Sequence, residues 1–192
     1  MLTLESRSLE IELIDYWHVG NGRGRGSHLD SVVDRESNGL PYIPGRMLKG
    51  LLRQAVYCLE SWKHVPHGST DTLFGGRDQP NDGEIFVSNA RLRKDIADYL
   101  IQGEQDKIRH QLFTEYFSTA IDHESGSAKD KSLRGMELVV PCRLYCDVSL
   151  RTDHFRQGME LIKIALPLIR SVGAHRSRGL GRCEIRFLEG AQ

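Results

Sequence analysis

Apolar and polar residues alternate at the start of the chain. Leu2 and Leu4, then Leu9, Ile11 and Leu13, recur with period two, which predicts a strand over residues 2–17 with one buried face. The alternation stops at His18-Val-Gly20-Asn-Gly22-Arg-Gly24-Arg-Gly26, where glycine at every second position excludes a regular element and predicts a loop. Gly39-Leu-Pro-Tyr-Ile-Pro-Gly45 is turn punctuation. After it, Met47, Leu48, Leu51, Leu52, Ala55 and Val56 recur at helical spacing and predict an amphipathic helix over 45–61.

Residues 62–82 are polar and predict a loop around Leu73-Phe-Gly75. Alternation at Ile85 and Val87 predicts a second strand over 84–92. Residues 93–120 predict irregular, highly charged helix, and 122–134 a polar segment flanked by strand-like pieces. The strongest strand signal covers 137–150, with Val139, Val140, Leu144, Tyr145 and Val148. A helix follows over 153–170, with Phe155, Met159, Ile162, Leu166 and Ile169 on one face. Gly173-Ala-His-Arg-Ser-Arg-Gly-Leu-Gly-Arg182 is a second glycine- and arginine-rich loop, and Ile185 and Phe187 alternate in a closing strand over 183–188.

The order strand, helix, strand, strand, helix, strand is the β-α-β-β-α-β arrangement of an α+β, ferredoxin-like or RNA-recognition-type core. A segment at about 120–136 is too long for a minimal hairpin and is expected to project as a thumb. The 192 residues favour a single domain over 1–192.

Composition adds exclusions. No stretch approaches the ~20 apolar residues of a membrane span, and the first residues lack the basic-then-apolar pattern of a signal peptide. Cys58, Cys142, Cys146 and Cys183 form no zinc-ligand spacing and are expected as free thiols of a cytoplasmic protein. The formal net charge is +0, which at first disfavours a nucleic-acid partner. Position changes that picture. Residues 18–53 carry six Lys/Arg against three Asp/Glu, residues 170–187 carry five against one, and 95–124 hold an acidic surplus.

The basic excess falls on the two glycine-rich loops, expected one at each end of the core. Arg23 and Arg25 lie in the first, His175, Arg176, Arg178 and Arg182 in the second. Glycine lets backbone N–H groups approach a phosphate, and arginine supplies a fork for its oxygens. Neither loop has the lysine and hydroxyl of a nucleotide-binding P-loop or a dinucleotide fingerprint. Each alone also reads as a solvated turn. Lys49 and Arg53, four apart on the first helix, read as phosphate contacts or as a solvated face. His18 reads as an RNA contact or as a satisfied strand-end histidine, and His28 and His175 are similarly open.

Taken together, His18-Val-Gly20, Gly39-Leu-Pro-Tyr-Ile-Pro-Gly45 followed by Lys49-Gly50 and Arg53, Leu73-Phe-Gly75, Gly83-Glu-Ile-Phe-Val-Ser-Asn-Ala90 and Arg176-Ser-Arg-Gly-Leu-Gly181 resemble the RAMP superfamily of CRISPR-associated proteins. The likeness is nearest to the repeated backbone subunit of type III effector complexes. Asp122-His-Glu-Ser-Gly126-Ser-Ala128 and Glu137-Leu-Val-Val-Pro141 are similar to that subunit's thumb region, with Lys129 and Lys131 alongside. Arg46 and Met47 stand where the family usually has two serines. The resemblance implies copies aligned head to tail along guide CRISPR RNA, with other complex subunits as partners. It also implies cleavage of target RNA with Mg²⁺ by an aspartate that matches Asp30, which would also be the metal ligand. Asp34 matches a second acidic position, structural in the family, and is the other candidate for the catalytic role, since the spacing from Asp30 to Gly39 is about one residue shorter than the family's. His18, Arg23, Arg25, Arg46, Lys49, Arg53, His175, Arg176, Arg178 and Arg182 are then the expected RNA-binding set.

A single carboxylate beside arginines suits such chemistry, because it can hold a hydrated Mg²⁺ or take a proton from the ribose 2′-OH. Aromatic residues are 7% of the chain and form no base-stacking box, so recognition is expected through backbone and shape. Three alternatives stay open at this point. One is a RAMP endoribonuclease that processes precursor CRISPR RNA through His18 or His28. The second is a non-catalytic scaffold. The third is a metabolic ferredoxin-like domain that binds a phosphorylated small molecule.

Overall fold

A computed structural model describes residues 4–20, 22–26, 28–76, 83–103, 105–151 and 155–188. The start of the first predicted strand (2–3), of the last predicted helix (153–154), and 77–82 of the long predicted loop lie outside the described residues. Four strands, β1 (Leu4–Leu13), β2 (Phe86–Val87), β5 (Arg143–Arg151) and β6 (Cys183–Phe187), form one antiparallel sheet in the order β2-β5-β1-β6. Taken as first to fourth strands of a β-α-β-β-α-β unit, this is the ferredoxin-like arrangement expected from the sequence.

Alternation explains the layers. Leu9, Ile11 and Leu13 of β1 and Leu144, Cys146, Val148 and Leu150 of β5 are buried beneath two helices, α1 (Gly45–Ser61) and α5 (Phe155–Ala165). Leu48, Leu52, Val56 and Leu59 line the inner stripe of α1, and Met159 and Ile162 that of α5. The opposite face of the sheet is polar and laced across strands. Ser8 Oγ donates to Asp147 at 2.6 Å, and Tyr145 OH donates to Glu10 at 3.1 Å. Arg186 and Arg143 pair with Glu10 and Glu12 at 2.5 and 2.8 Å. An RNA-recognition domain that stacks bases on its sheet needs aromatics there. Here the face is an ion-pair lattice.

Between β2 and β5 the chain inserts α3 (Lys94–Ile101), α4 (Asp106–Gln111), β3 (Phe113–Ser118) and β4 (Arg134–Val139). β3 and β4 pair as a separate two-stranded sheet, and the polar loop 119–133 connects them. The segment expected at 120–136 is that connection plus the first turn into β4.

Local chemistry accounts for the departures from expectation. The strand expected over 137–150 is two strands in different sheets, broken where Pro141 has no N–H to donate. Cys142 therefore lies outside the strand that holds Cys146. Burial pushes their thiols up to about 11 and about 12, and Cys183 to about 12. The expected helix over 93–120 gives way to β3. The expected loop holds a short helix, α2 (Ser69–Phe74), because the Glu60 carboxylate on α1 accepts from Gly68 N and from both N and Oγ1 of Thr70. The expected strand 84–92 is only two residues long, since Ala90 pairs instead with Ile43. The last helix tightens to a 3₁₀ turn at Leu166–Leu168, at Pro167.

Two glycines divide the stability argument. Gly181 sits at φ +70°, and a Cβ there would fall inside the contact distance of the Val172 carbonyl oxygen. Gly50, in mid-helix, has no heavy atom within 4 Å of the place a Cβ would take. Gly181→Ala is expected to destabilise the fold by at least about 2 kcal/mol. Gly50→Ala is expected to stabilise it by about 0.5–1 kcal/mol through helix propensity. Chemical denaturation of both variants checks this, and equal effects of the same sign would contradict it.

Candidate nucleic-acid interface

The two glycine-rich loops lie side by side, not at opposite ends of the core. The cause is the antiparallel pairing of β1 with β6, which sets Leu13 opposite Cys183, so the exit of one strand is beside the entry of the other. Ala174 N donates to the His18 carbonyl at 2.8 Å, and Gly181 N to the Tyr16 carbonyl at 2.8 Å. Gly173, at φ +82°, packs against the His18 carbonyl with no room for a Cβ.

The first loop is also strapped onto β4. Asp30 N donates to the Gly135 carbonyl at 2.8 Å, and Glu137 N donates to the Ser31 carbonyl at 2.9 Å. Trp17 and Val139 exchange backbone hydrogen bonds at 3.1 and 2.8 Å. A buried acid holds the join. Glu137 is 3% exposed. One carboxylate oxygen accepts from Arg35 at 2.7 Å and faces Arg25 at 3.4 Å, while the other accepts from Val33 N at 3.1 Å. Arg35 in turn stacks over the Phe113 ring, with its guanidinium carbon 3.6 Å from the centroid. In the sequence Glu137 stands in the thumb-like motif with no role of its own. The available signal was an acid inside the apolar run Met136-Glu-Leu-Val, where a buried carboxylate needs partners.

His18 is buried at 3% exposure. Its Nδ1–H donates to the Glu137 carbonyl at 2.6 Å, and Nε2 accepts from Ser31 Oγ at 2.8 Å. Burial pushes its pKa below the ordinary histidine range. Both ring nitrogens are occupied, so its placement as an RNA contact is corrected: it is the satisfied strand-end histidine, and it locks the first loop. It is equally unsuited to the proton exchange that the processing alternative asks of it. His28 is exposed, bonded to Glu115 at 2.9 Å and set edge-on to Phe117.

The two aspartates differ in surroundings. Asp30 is exposed at the root of β4, and its Oδ2 accepts from Gly135 N at 2.9 Å. Asp34 is half-buried and accepts from Tyr42 OH at 2.7 Å, and that bond pushes the Tyr42 hydroxyl up from its usual range. Asp34 thus ties the loop to the Tyr42 turn. Among the described residues no group of three His, Cys, Asp or Glu side chains converges as a metal cage. A lone carboxylate such as Asp30 fits the mode in which Mg²⁺ keeps several waters and takes substrate phosphates as ligands.

The cations sort into paired and open. Arg53 faces Asp71 on α2 at 3.3 Å, and Arg182 faces Asp15 at 3.1 Å. Arg186, counted in the basic excess of the second loop, belongs to the sheet lattice with Glu10. Arg23 is exposed, and its carbonyl accepts from Val32 N at 3.0 Å. Lys49 is half-buried on α1. Arg46 is exposed at the start of α1, near Tyr42. Arg176 and Arg178 are exposed on a 3₁₀ turn after His175, which holds φ +55°. Arg176 also reaches the groove beside Leu51 and Gln54 of α1. Among the described residues, Arg46, Arg176 and Arg178 make no ion pair.

The tip beyond β3 and β4 is ordered by its own polar groups. Asp122 accepts from the N–H groups of Ser125 and Glu124 at 2.9 and 3.1 Å, bonds that hold its carboxyl below the usual range. Gly126 takes φ +67° and Lys131 φ +57°, Lys129 N donates to the Ala120 carbonyl, and both lysine side chains are exposed.

One family model covers most of the chain, and solved structures share its fold. The model of the RAMP superfamily matches residues 10–184. A chain of the cryo-EM structure of the type III-B Cmr-beta bound to cognate target RNA superposes with a TM-score of 0.74 at 12% identity, covering 97% of this chain and 98% of that one. A chain of the apo-state cryo-EM structure of the type III-B Cmr-beta gives 0.70 at 13%, covering 96% and 97%. No curated protein matches by sequence.

Two measurements check the join. Glu137→Gln leaves two arginines facing a neutral amide and is expected to cost about 2–3 kcal/mol of stability. An unchanged unfolding midpoint would contradict the clamp. His18 is held neutral in the folded chain, whereas the unfolded chain binds its proton once the pH drops below the ordinary value of about 6.5. Its contribution is therefore complete above that pH and lost as the pH falls below it. His18→Gln is expected to flatten the stability slope between pH 7 and 5.5, and an unaltered slope would contradict a buried neutral imidazole.

Proposed function

The chain belongs to the RAMP superfamily, and from that premise we propose that it is a backbone subunit of a type III CRISPR effector complex, binding guide RNA and cutting the paired target RNA. The observation that carries this reading is a juxtaposition. Both glycine-rich loops, the exposed carboxylate of Asp30 and the root of the β3–β4 hairpin share one continuous hydrogen-bonded surface. The superposition on both type III-B Cmr-beta chains over nearly their whole length supports it.

In this reading Arg46, Arg176 and Arg178, with Arg23 and Lys49, face guide phosphates, and Arg25 stays with Glu137. Peptide N–H groups of the glycine turns do the same without regard to base. The loop 119–133 on β3 and β4 is the thumb, and copies stack head to tail, a heterologous contact that extends without closing. Arg53 and Arg182, already paired with Asp71 and Asp15, are left out of the first layer of contacts.

Cleavage is assigned to Asp30. Gly135 N–H fixes one of its oxygens, and the side chain stays open to solvent. The carboxylate takes the proton of a ribose 2′-OH. The 2′-oxygen then bonds to the adjacent phosphorus and the bond to the 5′-oxygen breaks. That oxygen takes a proton from water, leaving a 2′,3′-cyclic phosphate. Alternatively Asp30 would hold a hydrated Mg²⁺, which would supply positive charge at the scissile phosphate, and water would take the proton.

Asp30→Asn keeps the acceptor for Gly135 and removes the charge. In the complex reconstituted with guide RNA it is expected to lower Mg²⁺-dependent target cleavage at least about 100-fold with guide affinity near wild type. Cleavage at the wild-type rate would overturn the assignment. Cleavage that survives chelation and is lost in His28→Ala would favour precursor processing. Arg176→Ala combined with Arg178→Ala is expected to weaken guide binding and to lower the salt slope by roughly 1.4, at about 0.7 per phosphate on a single strand. An unchanged slope would remove the second loop from the interface.

A further inference from the structure

The open edge of β6 has backbone groups and side chains arranged for a partner. Ile14 N donates to the Arg182 carbonyl and Leu188 N to the Ser8 carbonyl, both at 2.9 Å, so Glu184 and Arg186, in phase with them, bond inward to β1. Cys183, Ile185 and Phe187 therefore aim their N–H and C=O groups outward. Cys183 N confirms the phase by donating to the Arg170 carbonyl at 2.9 Å. Beyond it, among the described residues, no backbone pairs with Ile185 or Phe187.

Beside this edge lies a cavity of about 480 Å³. Ile14, Pro167, Ile169, Cys183 and Ile185 are its less polar lining, and two arginines, Arg170 and Arg182, line it against one carboxylate, Glu184. Natural edge strands are commonly blunted by proline, an inward charge or a bulge. Residues 183–187 contain no proline, Ile185 and Phe187 pack toward the core, and the β1–β6 register is unbroken.

We propose that the β6 edge takes an extended acidic segment of a partner protein as an added strand, with an apolar side chain in the Ile14–Ile169 cavity and its carboxylates at Arg170 and Arg182. The outward N–H and C=O groups give the strand its affinity, and the cavity and the arginines give it selectivity. Arg170 makes no ion pair among the described residues. Arg182 is 65% exposed, so its contact with Asp15 can be exchanged for a partner carboxylate. The site uses neither Asp30 nor the open arginines of the glycine loops, so its fate is separate from that of the RNA reading.

The test uses the whole isotopically labelled chain and a synthetic peptide, Glu-Thr-Val-Thr-Val-Thr-Glu, capped at both ends. The peptide is expected to slow amide exchange at Ile185 and Phe187 and to shift their resonances. A version with lysine in place of both glutamates is expected to bind about fivefold more weakly. Ile185→Pro removes an outward N–H and no bond to β1, so it is expected to fold and to abolish binding. Should that variant fail to fold, Arg170→Glu serves instead and is expected to weaken the glutamate peptide and strengthen the lysine one. Peptide binding that leaves the Ile185 and Phe187 amides unprotected overturns the proposal. So does undiminished binding to folded Ile185→Pro, or protection of those amides by single-stranded oligouridine and not by the peptide.

Discussion

A buried carboxylate organises this surface. Glu137 stands in an apolar strand, and its desolvation is tolerable only because Arg35, Arg25 and Val33 N converge on it. Those three groups come from the loop that follows β1, whereas Glu137 comes from the hairpin inserted after β2. The pairing therefore welds an inserted element onto the core, and the His18 ring bonded to the Glu137 carbonyl extends the weld toward the second glycine loop. Asp30, held by Gly135, takes its place from the same strand.

The net charge of zero is distributed, and its distribution carries information. On the open sheet face, Arg143 and Arg186 are neutralised by Glu10 and Glu12. On the second glycine loop, Arg176 and Arg178 stand without ion pairs among the described residues. Counting charges along the chain overstates the second loop, since Arg182 and Arg186 are committed elsewhere. The open cations are fewer: Arg176 and Arg178 on the second loop and Arg46 at the start of α1. A modest basic surface on a neutral body suits the head-to-tail stacking proposed for this chain, because strong like charge would oppose assembly.

Much of the fold was legible in periodicity. Alternation in β1 and β6 and the helical stripe of α1 each reflect one face packing on one core, so the pattern and the structure coincide. Legibility failed where a distant partner decides the outcome. α2 exists because Glu60 caps it from another helix, β2 is cut short because Ala90 pairs with Ile43, and β3 forms because β4 is there to pair with it. The site divides the same way. Arginine and glycine marked the loops, but no local pattern told that they adjoin. His18 needed the Glu137 carbonyl and Ser31 to be recognised as a structural group. Glu137 was visible only as an acid out of place.

If this surface holds a guide RNA, as proposed, the protein leaves its host with that RNA bound. Purification from the host under conditions that preserve assemblies, followed by sequencing of any bound nucleic acid, is the decisive measurement. RNA of a few defined lengths is expected, each species combining one constant end with a variable remainder, in complexes containing more than one copy of the chain. A protein that carries no RNA, or random fragments of abundant transcripts, would contradict it.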